Sequence, residues 1–180
     1  VNKPLVLLHI CCAPCASAVI KRVQNEYEIK GFFYNPNIFP ESEYQLRLSG
    51  VRRLADILGI EIDSGDYEYD RFRELVLGLE REPEGGKRCL LCYRLRLERS
   101  GQEAKANGAE FLATTLTIGS NKKAAVINPL GAEICARLGI KFIAGDWKKQ
   151  NGFKHSVEIS RNLGLYRQNY CGCEFSQNFK

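Results

Sequence analysis

The sequence predicts an α/β protein built on an open, mostly parallel sheet of about five strands with helices on both faces. Two observations carry this. Short apolar runs alternate with segments of helical periodicity along the chain, the order from which doubly wound sheets are made. The first run, Leu5-Val6-Leu7-Leu8-His9-Ile10, is nearly continuous in apolar residues, as a strand buried on both faces requires. No repeat or linker divides the 180 residues, so one domain, 1–180, is expected, and a chain of this length buries roughly 70% of its unfolded surface.

After the first strand, Cys11-Cys12-Ala13-Pro14-Cys15 makes a turn. Pro14 suits the first turn of a helix, because it has no N–H to lose there, and Ala16 to Val23 continues at helical spacing. Ile29 to Tyr34 reads as the second strand, and Glu41 to Leu58 as a long helix closed by Gly59. Ile60-Glu61-Ile62 is a brief third strand, followed by a helix over Tyr67 to Leu79 and a breaking loop at Glu82-Pro83-Glu84-Gly85-Gly86. Cys89 to Asn107 forms a helix with Leu91, Leu95 and Leu97 near one face and Arg94, Arg96 and Arg99 largely elsewhere. Phe111 to Leu116 is the fourth strand, Ala124 to Leu138 a helix ending at Gly139, Lys141 to Ile143 the fifth strand and Ser156 to Leu163 the last helix. The architecture is Rossmann-like and related to PP-loop/HUP folds. Ligands of such sheets gather at the carboxyl ends of the strands, where Cys11 and Thr114-Thr115 are predicted.

Composition excludes several classes. With 44% hydrophobic and 26% charged residues the chain is globular rather than disordered. No apolar run approaches the ~18 residues that suggest a membrane span. His9, Pro14 and the single Lys3 argue against a secretory signal at the start. A cytoplasmic protein with no membrane partner is expected. The net charge of +5 permits an anionic partner without demanding one.

The eight cysteines are too few for a disulfide scaffold and are clustered, which points to metal or redox chemistry in a reducing compartment. Thiolates suit tetrahedral zinc or an iron–sulfur cube, and Cys89-x-x-Cys92 is a common half-site for both. Cys11 and Cys12 are adjacent, with Cys15 three residues on. Adjacent side chains diverge, so they reach two irons of a cube more readily than one zinc. A four-thiolate zinc site at Cys12, Cys15, Cys89 and Cys92 is the structural alternative, and a thioredoxin-type dithiol at Cys12 and Cys15 is another. Cys171-Gly172-Cys173 offers a redox-active disulfide or a ligand pair. Cys135 reads as a core residue. His9 is a core histidine with a claim to orient the cysteines beyond it.

The loop after the first strand lacks the glycine and serine that would cradle phosphate, which weakens an ATP-dependent reading. Basic residues at Lys87-Arg88, Arg94, Arg96, Arg99, Lys122-Lys123 and Lys148-Lys149, with Tyr93, Trp147 and Phe153 among them, suit phosphates and base stacking.

Four separated segments carry a family resemblance: Leu7 to Cys15; Cys89-Leu90-Leu91-Cys92-Tyr93-Arg94-Leu95-Arg96-Leu97; Thr114-Thr115-Leu116-Thr117-Ile118; and Tyr166-Arg167-Gln168-Asn169-Tyr170-Cys171-Gly172-Cys173. In order and spacing they resemble the QueH-type, cobalamin-independent epoxyqueuosine reductases. The resemblance implies an iron–sulfur oxidoreductase that completes queuosine biosynthesis by reducing epoxyqueuosine at the tRNA wobble position. It implies a [4Fe–4S] cluster on Cys11, Cys12, Cys89 and Cys92 and room for a second iron. Cys15, Cys171 and Cys173 are left for that metal, a disulfide or electron relay, and Tyr93 is a candidate proton donor. The partners implied are the anticodon arm of tRNA carrying epoxyqueuosine and an unidentified electron donor. One loop departs from the pattern, with Gly119-Ser120-Asn121-Lys122-Lys123 where relatives carry Ser-Pro-His-Lys-Asn. A histidine role there is lost, while Lys122 or Lys123 stays available to phosphate. The rivals are a zinc-stabilised RNA-binding module and a tRNA sulfur-transfer enzyme.

Overall fold

The computed structural model describes residues 2–179, without the side chains of 177–179. Five strands, β1 (Leu5–His9), β2 (Glu28–Phe33), β3 (Glu61–Ser64), β4 (Phe111–Thr114) and β5 (Lys141–Phe142), form one sheet in the order β3-β2-β1-β4-β5. Every neighbouring pair is parallel. The helices are α1 (Ala13–Val23), α2 (Glu41–Leu58), α3 (Tyr69–Leu75), α4 (Lys87–Ala106), α5 (Ala124–Leu138) and α6 (Gly152–Asn162).

β1 is the centre of the sheet, and the residues of its apolar run alternate between two cores. Val6, Leu8 and Ile10 pack with α1 and α2 residues such as Val19, Val51 and Leu54. Leu7 faces the other way, toward Phe32, Leu95 and Leu112. The chain first winds from β1 to β2 and β3, then crosses to β4 on the other side of β1. The strand order therefore reverses between β1 and β4, and a crevice opens beyond their carboxyl ends. Cys11 leaves one strand there and Thr115 the other.

The structure trims several predicted boundaries. β4 stops at Thr114 rather than Leu116, because the Leu116 N–H turns back to Thr114 Oγ1 (3.2 Å) and Leu116–Ile118 closes into a 3-10 turn. Ile60 lies just past the end of α2 and closes it, its N–H donating to Ala55 O beyond the left-handed Gly59, so β3 begins at Glu61. The helix expected over Tyr67 to Leu79 is only α3; Tyr67 instead spends its hydroxyl on Ile38 O. α6 starts at Gly152 instead of Ser156, preceded by Gln150 and Asn151 at positive φ. Among the described residues no helix is long and apolar enough to cross a membrane.

Candidate metal centre

The site begins with two helix N-termini. Cys12 is the N-cap of α1, in extended conformation, and Cys15 lies three residues on in the first turn. Those two positions face one another in any helix start, as the capping box shows. Cys11, just before, is fixed by Thr115: the Cys11 N–H donates to Thr115 Oγ1 (3.1 Å), and that hydroxyl donates to Cys11 Sγ (3.2 Å). The expectation that adjacent cysteines diverge is not met here. Cys11 Sγ and Cys12 Sγ lie 4.0 Å apart, and the sulfurs of Cys11, Cys12 and Cys15 are all within 4.8 Å of one another. Threonine on one side and the helix cap on the other turn the neighbours inward.

Electrostatics assigns the charge within this triad. The Cys11 thiol is held well below its ordinary pKa by donation from the Cys12 and Cys15 thiols, which outweighs its burial, and Thr115 and the Lys122 charge add to the effect. Cys12 is pushed up to about 12 by the same hydrogen bond to Cys11, and Cys15 is raised likewise. Of the three, Cys11 is the thiol whose surroundings most favour loss of its proton.

The second sulfur group belongs to α4. Gly86 caps that helix, so Cys89 falls in its first turn and Cys92 one turn later on the same face. Cys89 Sγ accepts the Gly85 N–H at 3.2 Å. The two groups open onto neighbouring cavities. A cavity of about 340 Å³ is lined by Cys11, Cys12, Cys15, Arg96, Lys122 and Cys171 among others. A small one of about 20 Å³ is lined by Cys89, Cys92, Cys171, Cys173, Arg88 and Tyr93. Glu84, Arg96, Lys122 and Cys171 border both. Cys11 and Cys89 also pack against one apolar cluster that includes Tyr93 and Leu116.

None of the eight cysteines is in a disulfide, so of the two alternatives for Cys171-Gly172-Cys173 the disulfide is corrected. Cys171 Sγ donates to Ser176 Oγ (3.4 Å), whereas Cys173 is buried and pushed up to about 12 by that burial and by the Cys171 charge. Gly172 between them has φ +105° and fits against Ile38 and Arg47, where a Cβ would meet Ile38 at 2.8 Å. Tyr93 is buried, and that burial, reinforced by the Cys89 charge, raises its pKa, so it stays a neutral phenol. Cys135 is an apolar core residue as predicted.

The basic residues correct the sequence reading most. Arg96 was placed away from the apolar face of its helix, yet it is 3% exposed. Its Nε donates to Cys92 O (3.3 Å), its Nη1 to Asn35 Oδ1 (3.4 Å), and its guanidinium lies 5.6 Å from the Tyr93 ring. Burial opposes its charge, but the Cys92, Tyr93, Cys11 and Cys171 side chains together hold its pKa up. Lys122 behaves the same way: desolvation works against the ammonium and the Cys171 and Cys11 charges outweigh it. Trp147 packs partly buried against the core, its Nε1–H donating to Thr114 O (2.8 Å). Phe153 is exposed at the rim of the large cavity, beside Arg167.

His9 is fully buried. Tyr34 O can only accept, so the His9 Nε2–H donates to it (3.1 Å), and in the neutral ring Nδ1 then accepts from the Thr114 hydroxyl (2.9 Å). Burial, then the Arg96 charge, lowers its pKa to about 4, so the ring is neutral. It bolts β1 to its neighbours on both sides, just beneath Cys11.

The profile of the epoxyqueuosine reductase QueH family matches residues 6–179. The chain belongs to that family. It is 33% identical to the epoxyqueuosine reductase QueH of Streptococcus pyogenes serotype M1 over 180 residues, covering 97% of this chain and 71% of the relative. It is 37% identical to the Thermotoga maritima QueH over 174 residues, covering 95% and 89%. Among solved structures it is similar to the U34-tRNA thiolase NcsA from Methanococcus maripaludis with its [4Fe-4S] cluster, at a TM-score of 0.58 and 13% identity, covering 98% of this chain and 63% of that one. At that identity the likeness is one of fold, and it bears out the PP-loop-related sheet. Family membership makes the chain a reductase, and its four resemblance segments all converge on the two cavities described above.

Proposed function

We propose that the protein reduces epoxyqueuosine to queuosine at the tRNA wobble position, the two-electron removal of an epoxide oxygen as water to leave an alkene. The observation that carries this reading is the sulfur-lined cavity between β1 and β4 in a chain of this family. Three sulfurs within 4.8 Å of one another, with Arg96 and Lys122 lining the same cavity, fit an anionic iron–sulfur group. Cys11, Cys12, Cys89 and Cys92 would hold a [4Fe–4S] cluster, which supplies electrons one at a time. Cys15, Cys171 and Cys173 are left for a second iron or an electron relay.

The remaining steps belong to the chain's own groups. The large cavity admits a base turned out of the anticodon arm, and Phe153 and Arg167 at its rim suit stacking and phosphate. Lys122, which borders both cavities and whose pKa is held up, would stabilise negative charge gathering on the epoxide oxygen. Tyr93, a neutral phenol bordering the small cavity, keeps a proton to give. A cytoplasmic enzyme drawing on a separate electron donor completes the proposal.

The test is anaerobic purification with iron, sulfide and zinc measured per chain, visible spectra before and after dithionite, and turnover of epoxyqueuosine-tRNA. About four irons and four sulfides, colour that bleaches on reduction and queuosine as product support the reading. Stoichiometric zinc with no colour after reconstitution defeats it. Cys89→Ala is expected to lose both cluster and turnover.

A further inference from the structure

Arg88 occupies the first turn of α4, next to Cys89, and is 1% exposed. Its Nη1 donates to the carbonyl oxygens of Leu79 (3.2 Å), Glu80 (2.9 Å) and Glu82 (2.5 Å). These bonds tie the loop before α4 to the helix and consume one nitrogen of the guanidinium. The other two, Nε and Nη2, are buried and have no hydrogen-bond partner. Among the described residues Arg88 forms no ion pair; its face lies 5.6 Å from the Phe175 ring. The side chain lines the small cavity with Cys89, Cys92, Cys171 and Cys173, and its charge acts on the Cys173 thiol.

An unpaired cation with unsatisfied donors is among the costliest things a protein interior can hold. It is tolerated where an anion arrives to complete it. The walls of this cavity supply one kind of acceptor in quantity, which is sulfur, and thiolates bound to iron carry net negative charge that increases on reduction.

We propose that Arg88 is a redox-tuning residue, its spare guanidinium N–H groups donating to the cysteine sulfurs on the Cys89 side of the iron–sulfur centre and raising that centre's reduction potential. The proposal rests on the cluster reading given above. Donors and positive charge beside the sulfurs favour the more negative, reduced state, so the residue eases electron entry without touching substrate. Lysine could replace the charge but not the planar fork, which serves three carbonyls through one nitrogen while leaving two nitrogens for sulfur.

The experiment compares wild type, Arg88→Gln and Arg88→Lys after anaerobic reconstitution, by iron and sulfide content, potentiometric titration and pulsed EPR of the reduced cluster in protein labelled with ¹⁵N-arginine. Arg88→Gln, once loaded, is expected to lower the reduced-to-oxidised ratio about tenfold at a fixed poise, equivalent to about 59 mV for a one-electron couple. Wild type is expected to show an arginine ¹⁵N coupling component that is missing from the difference spectrum against Arg88→Lys, in which Arg96 is unchanged; identical spectra overturn the proposal, so the readout still decides the matter if Arg88→Gln fails to load. A loaded Arg88→Gln with unchanged potential, or no ¹⁵N coupling in wild type, overturns the proposal; the spare donors then serve a buried water, for which about 20 Å³ suffices. A wild type that takes up no cluster removes the underlying reading itself, and this inference with it.

Discussion

Arg47 is expected to hold the C-terminal tail over the cysteine-lined cavity, and replacing it with alanine should release that tail. The residue is buried in α2, with Nε on Glu43 Oε1 (2.7 Å), Nη1 on Cys171 O (3.2 Å), Nη2 on Tyr170 O (3.3 Å) and the guanidinium 5.1 Å from the Tyr170 ring. Glu43, with an 11% exposed side chain, in turn receives the Tyr166 hydroxyl (2.9 Å). Arg47→Ala removes two charge-assisted bonds to the tail, worth about 1.5–3 kcal/mol each. It also strands a mostly buried carboxylate, and breaking such a pair from one side costs about 3–5 kcal/mol. These contributions overlap, so about 3 kcal/mol of tail docking is a conservative loss. The sensitive reporter is the Phe39 amide, which donates to Gly172 O (2.9 Å) only while the tail is docked. Its hydrogen exchange should accelerate at least about a hundredfold, since each 1.4 kcal/mol is a factor of ten. Trypsin should cleave after Arg167 in the variant well before wild type, while Arg47→Lys, which keeps the charge but not the fork, falls between. Slow Phe39 exchange and an intact tail in Arg47→Ala would refute the clamp.

Thr115→Val keeps the shape of the side chain but leaves the Cys11 N–H and sulfur without their partner; a stability loss of about 1–3 kcal/mol in urea unfolding is expected, with iron affinity down about 10–100-fold. His9 is neutral in the fold with a pKa near 4 against an ordinary 6.5, so the unfolded chain binds the extra proton first. Its contribution is whole above pH 6.5 and is lost as pH falls toward 4, about 2 kcal/mol having gone by pH 5. In urea unfolding of the metal-free protein, His9→Gln should lack that slope between pH 7 and 5, and equal slopes would discard the assignment. Phe153→Ala should weaken tRNA binding by about 1–3 kcal/mol without changing its salt dependence; a wild-type Kd removes Phe153 from the interface.

Most of the fold was legible because the sheet is parallel and buried. A strand with both faces covered must be apolar throughout, and Leu5 to Ile10 announces itself. Helix ends were legible where glycine takes a left-handed cap, at Gly59 and Gly139. The misread boundaries are those decided by side chains bonding back to the main chain. Thr114 folds Leu116 out of β4, and nothing in a run of six strand-forming residues signals that one hydroxyl will do so. The start of α6 depends on positive φ at Gln150 and Asn151, which only the packed chain imposes.

The site was legible as a set of sulfurs but not as a charge arrangement. Spacing located every cysteine that lines the cavities, yet in the sequence Arg88 and Arg96 group with basic residues suited to phosphate and Arg47 does not stand out, because hydropathy treats arginine as a solvated residue. Each is buried and directs its guanidinium to backbone carbonyls: Arg47 to Cys171 O, Arg96 to Cys92 O, and Arg88 to those of Leu79, Glu80 and Glu82 in the loop before Cys89. Interior cations on this scale require interior anions, and few carboxylates stand ready: Glu43 serves Arg47, and Glu84 at the cavity border is exposed. The sulfurs are the remaining candidates. A parallel sheet ordinarily presents helix N-termini and amides to a phosphate at this crevice. Here Cys12 and Cys15 occupy the start of α1, and the added arginines extend the same positive field inward. The position that would cradle a nucleotide thus keeps its positive field but is lined by the protein's own sulfurs, the donor set that the proposed iron–sulfur group would use.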